Sequence, residues 1–182
     1  KSRIDTIYNV YLDYCKKKGE IIFNLLETGF IDDITLGMFL GDLEFENLYK
    51  GLFLLLKKNQ LINNLLKPLC TYLNKINDYH RVEAMIKNIL NSNTFDNYSI
   101  DYLDLYDYLG EAYYNQHQWD LAIASFIKKI YLIKSTKSDL GRKTNTSKGK
   151  TFIFLGKAYR EKNEYKKAQK HFGKAICIFM KE

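Results

Sequence analysis

The chain has 182 residues, enough to bury a substantial core in one domain or one short helical array. An apolar fraction of 46% with a single proline suits a folded helical protein, and a net charge of +7 favours anionic partners without naming one. No run reaches the roughly 18 apolar residues of a membrane span, since the densest patch, Leu52 to Leu56, is stopped by Lys57 and Lys58.

No signal-peptide pattern opens the chain, and it begins at Lys1 without a methionine. It therefore reads as processed, or as a segment of a longer protein. Cys15, Cys70 and Cys177 are odd in number and have no metal-ligand spacing. They read as small buried side chains in a reducing cytoplasm, and no metal or cofactor is expected.

Residues 1–62 carry helical periodicity. Ile4, Ile7, Val10, Tyr11 and Tyr14 make one stripe, Ile21, Ile22, Leu25 and Leu26 another, and Leu43 to Leu56 a longer amphipathic helix. Turn signals at Gly19, Thr28-Gly29, Asp32-Asp33 and Asn59-Gln60 separate three to four predicted helices, with Thr35 supporting a helix start after the Asp pair. This part reads as divergent helical repeats or an N-terminal bundle. No segment alternates as a strand.

A more regular pattern follows. Tyr106-Asp107-Tyr108-Leu109-Gly110-Glu111-Ala112-Tyr113 leads to Trp119, Ala122 and Phe126. Phe152-Ile153-Phe154-Leu155-Gly156-Lys157-Ala158-Tyr159 leads to Tyr165, Ala168, Phe172 and Ala175. The two align without gaps, and each glycine sits where two helices of one pair are expected to cross. A weaker copy, Leu66, Leu69, Cys70 and Leu73, then Tyr79, Val82, Ile86 and Ile89, precedes them, with Cys70 at the glycine place and Pro68 in an expected first turn.

This pattern resembles the tetratricopeptide repeat. The resemblance implies an all-α fold, a right-handed α-α superhelix of helical hairpins with a divergent N-terminal part. Its units would be a degenerate repeat at 63–96 and repeats at 101–134 and 149–182. The clear copies lie 46 residues apart, against about 34 in the usual repeat. The excess, 135–148, reads as a polar basic linker, or as overrun of the preceding helix.

On a helix Asp104, Asp107, Glu111 and Tyr114 or Asn115 share one face, opposite Tyr106, Leu109 and Tyr113. The resemblance implies that the first helix of each pair lines a concave surface. The counterparts in the last unit are Lys150, Ile153, Lys157 and Arg160. A groove passing from acidic to basic would suit an extended peptide or a partner helix, with Tyr102, Tyr108, Tyr114 and Phe154 adding adhesive area.

Other candidates carry less. Ser147-Lys148-Gly149-Lys150-Thr151 ends like a phosphate-binding loop, but Thr144 stands where the first glycine is required. His80, His117 and His171 are isolated. The basic residues Lys134, Lys137, Arg142, Lys143, Lys148 and Lys150 read as a solvated connector, so nucleic acid is not an expected partner of this chain alone. No catalytic constellation is visible.

Among repeat proteins, the chain is similar at motif level to the peptide-pheromone receptors of low-GC Gram-positive bacteria, which implies a cytoplasmic peptide sensor. Such receptors hold peptide backbone with groove asparagines, and Asn115 is the residue here that could correspond. The alternative is a co-chaperone or assembly scaffold binding a folded protein. A homodimer is left open.

Overall fold

In this computed structural model the described residues are 3–92, 100–135 and 141–181, without the side chains of 100–101 and 141–145. Lys137, and the side chains of Asp101, Arg142 and Lys143, lie outside the description. Among the described residues the chain is all helix: α1 (Arg3–Glu27), α2 (Ile31–Lys57), α3 (Asn63–Lys75), α4 (Tyr79–Asn91), α5 (Ile100–Asn115), α6 (Trp119–Ser135), α7 (Gly141–Glu161) and α8 (Tyr165–Phe179). None of these helices is long and apolar enough to cross a membrane.

They form two compact units, Lys1–Val82 with Ser92–Phe95, and Glu83–Asn91 with Asp96–Glu182. The division falls inside α4. The reason is visible in the first unit, where α3 packs on both α1 and α2.

The first unit has two long N-terminal helices where three or four were expected. Of the expected turns, Thr28-Gly29 and Asn59-Gln60 are turns, Gly29 taking a φ of +81° and Asn59 one of +50°. Gly19 and the Asp32-Asp33 pair are helical. The unit's glycines serve close approach instead: a Cβ on Gly19 would lie 3.2 Å from Pro68 Cγ, and one on Gly51 3.1 Å from Cys15 Sγ. Pro68 lies inside α3, past its first turn, and its missing N–H leaves Asn64 O without the usual intrahelical bond. That carbonyl faces Gly19. The α1 side chains that are buried are Leu12, Cys15, Ile22 and Leu26, while Ile4, Ile7, Val10 and Ile21 remain exposed. The expected first stripe is therefore not the core stripe. Cys15 and Cys70 are buried as expected, but Cys177 is exposed.

In the second unit α5 packs on α6, α6 on α7 and α7 on α8. A Cβ on Gly156 would lie 2.5 Å from the Phe172 ring, and one on Gly110 would overlap Phe126. The close partner of each glycine is thus the aromatic residue of the second helix, with Ala122 and Ala168 buried nearby in sequence. Phe126 also stacks on Phe154, with ring centroids 5.5 Å apart.

The helix-to-helix turn is built the same way four times. Asn59, Asn77, His117 and Asn163 have φ between +50° and +60°. The following amide reaches back five residues: Gln60 N to Leu55 O at 3.0 Å, and Asp78 N to Leu73 O, Gln118 N to Tyr113 O and Glu164 N to Tyr159 O, each at 2.9 Å. This 6→1 bond caps the last turn of the first helix. Two residues past Asn77 and Asn163, Tyr79 and Tyr165 donate their hydroxyls to the asparagine side chains at 2.7 and 2.8 Å.

α7 begins at Gly141, inside the stretch expected to be linker, while α6 ends at Ser135. The 46-residue spacing is therefore met largely by a longer first helix in the last pair.

Candidate functional site

α5 meets α6 and α7 around a lysine with no solvent exposure, Lys129. Its ammonium donates to the Asp107 carboxylate, to Ser147 Oγ at 2.7 Å and to Asp104 Oδ1 at 3.4 Å. Thr151, also fully buried, shares its one hydroxyl proton between Asp107 Oδ1 and the Ser147 carbonyl, each 3.0 Å away. A cation out of water is tolerable only when paired and hydrogen-bonded. This explains why the polar residues 146–151 belong to a helix: Ser147 and Thr151, one turn apart, complete the shell around Lys129 and Asp107. The phosphate-loop look-alike is thus a helical segment, with Gly149 buried and tight against Phe179.

The sequence-predicted site residues separate into three groups. Asp107 is engaged inside the fold; burial outweighs the Lys129 charge and raises its carboxyl above the ordinary range. Asp104 and Glu111 line the same face with more exposure. Glu111 has its pKa pushed up to about 7, by burial first and then by the Asp107 charge, against the pull of Lys129, Lys157 and Lys150. Those opposing charges place Lys150 and Lys157, on α7, near Glu111 of α5. Lys150 is exposed, and the Lys157 ammonium lies 5.1 Å from the Phe154 ring centroid.

At the far end of α5 Tyr114 packs on Trp119 at 5.1 Å, and its hydroxyl donates to Glu161 Oε1 at 3.4 Å. Arg160 pairs with the same carboxylate at 2.9 Å. Asn115 ends α5 and is exposed. Of the aromatics expected to add binding area, Phe154 is spent on Phe126 and Tyr102 on Tyr106, whose hydroxyls are 3.1 Å apart.

Sequence reading missed Lys129, Ser147 and Thr151. One signal was present: Lys129 aligns with Ala175 of the last copy, a buried place. Among the described residues no group of His, Cys, Asp and Glu could hold a metal ion. His171 is half-buried against Tyr159, with ring centroids 5.2 Å apart; burial and the neighbouring Lys174 and Lys170 lower its pKa. Two shallow clefts are lined by first-unit residues alone, one by Tyr8, Tyr11, Lys50, Phe53, Leu54 and Lys57, the other by Lys16, Glu20, Phe23, Asn63, Asn64, Lys67 and Pro68.

These features define an all-α protein built of tetratricopeptide-like helical hairpins. Solved structures show the same fold. BtubC (BKLC) from P. vanneervenii is similar over 90% of this chain and 70% of its own, with a TM-score of 0.60 and 18% identity. MamA of MSR-1 is similar over 99% of both chains, with a TM-score of 0.53 and 17% identity. No protein-family model and no curated protein matches the chain.

Proposed function

We propose that this chain is a non-catalytic binding module whose α5–α7 face takes a peptide or protein segment. The observation that carries the reading is Glu111 on α5 facing the charges of Lys150 and Lys157 on α7, with Asp104 on the same side of α5. The deepest carboxylate, Asp107, is neutralised from within by Lys129. The remaining groups give a surface acidic on one helix and basic on the next, suited to a segment carrying both signs of charge. A sensor of short peptides in the cytoplasm is the finer form of this reading, and it rests on the motif resemblance. The scaffold reading draws on the apolar residues left exposed on α1, Ile4, Ile7 and Val10.

Affinity capture from host lysate, with mass spectrometry read for short peptides and for proteins, tests the module. Repeating it with Lys157→Glu/Arg160→Glu locates the surface. Loss of the captured species with an unchanged circular dichroism spectrum supports the α5–α7 face. Undiminished capture moves binding elsewhere, and a folded protein without any peptide favours the scaffold.

A further inference from the structure

The two clear copies of the hairpin differ at one face. In α6, Ile123 and Ile130 are buried, and α7 packs on that helix. Forty-six residues on, in α8, Gln169 is exposed and Ile176 is 57% exposed. Tyr165 and Met180 extend the same edge, also exposed. Positions 165, 169, 176 and 180 fall on one side of a helix, beside the buried Ala168 and Ala175. α8 also holds Lys166, Lys167, Lys170 and Lys174 and no carboxylate, Lys167 pairing with Glu164 just before the helix.

α2 presents the opposite. From Ile31 to Tyr49 it holds five carboxylates and no lysine or arginine. Leu36, Phe39 and Leu43 are 48%, 58% and 62% exposed. Asp32, Asp42 and Glu46 are exposed on the same side of the helix.

We propose that the α2 face of one copy docks on the α8 face of another, so that the chain associates with itself head to tail. The contact continues on α8 the packing that α7 makes on α6. Phe39 and Leu43 cover Ile176 and Met180, while the α2 carboxylates meet the α8 lysines. Because two different faces meet, each copy offers one of each, and the association either closes, a reciprocal two-fold dimer being the smallest closed form, or grows as an open chain. A contact of a few large apolar side chains a side belongs among the weaker interfaces. Its charge component is screened by salt.

Sedimentation velocity on the full chain, from about 1 µM to about 1 mM, covers the affinities such an interface reaches. The weight-average mass should climb with concentration to the dimer or beyond it, and climb less in high salt. Phe39→Ser/Leu43→Ser and Ile176→Ser/Met180→Ser change exposed positions, so each should keep its helical circular dichroism and stay monomeric alone. Mixed in equal amounts they retain one intact face of each kind and should form a 1:1 dimer and nothing larger. A wild type monomeric at every concentration, oligomers that persist in either variant, or a mixture that stays monomeric would each overturn the proposal. The idea does not depend on the α5–α7 face: Lys157→Glu/Arg160→Glu should associate as the wild type does.

Discussion

Replacing Lys129 by methionine would leave the Asp107 carboxylate largely buried with only Thr151 to satisfy it. Breaking a buried pair by removing one partner costs about 3–5 kcal/mol. The 20% exposure of the Asp107 side chain puts the expected loss at the lower end. Lys129→Met/Asp107→Leu removes both charges and should recover most of that stability in urea unfolding; a double variant as weak as the single would show that the two are not coupled. Glu111 behaves differently, because its folded-state pKa is raised from 4.5 to about 7. A raised carboxyl contributes stability below its unfolded value, and loses it as pH rises through the folded one. Glu111→Gln should therefore melt with the wild type near pH 4 and above it at pH 8. Parallel melting curves across that range would show that Glu111 titrates normally. At this scale the sequence told half the story: the carboxylates of α5 and the cations of α7 were legible from helical spacing. Lys129 was not, because a lysine looks like surface until its alignment with Ala175 is weighed.

Glycines show how elements hide behind ambiguous signals. Gly110 and Gly156 recur at one place in aligned copies, so their packing role was readable. Gly19 has no second copy, and a lone helical glycine reads equally as a turn. Two long helices were accordingly divided into three or four. The extension of α7 back to Gly141 was hidden for a related reason: Thr144, Asn145, Thr146 and Ser147 look like loop until Lys129 supplies a buried partner for Ser147. The close-approach reading separates two glycines of the same hairpin. Gly156→Leu drives a side chain into Phe172, an overpacking that costs about 1–3 kcal/mol and should lower the melting temperature by several degrees. Gly173 lies within α8 with nothing within 4 Å of a built Cβ. Gly173→Ala should stabilise by roughly 0.5–1 kcal/mol, through helix propensity alone. If both variants melt alike, the register of α7 on α8 is wrong.

At the scale of the molecule, the repeat pattern disclosed the class of fold, while the division into two units escaped it. That division cuts α4 between Val82 and Glu83, and Val82, Met85, Ile86 and Ile89 are buried at one unbroken helical period across it. A boundary that interrupts neither pattern nor composition leaves no mark in the residues. What the units share is locality. Within each unit the packed helix pairs are neighbours in the chain or one apart, as α1 on α2 and α3, or α6 on α5 and α7. Such arrays gain their contacts at short sequence separation, so little loop entropy is lost before packing offsets it. Helical proteins of this kind fold in microseconds to milliseconds. Trp119 is the single tryptophan and opens α6 against Tyr114, so its fluorescence follows the α5–α6 hairpin from within. Stopped-flow refolding should complete its main tryptophan phase within about ten milliseconds. A dominant phase of seconds would mean that the second unit waits on contacts more distant in sequence than neighbouring helices provide.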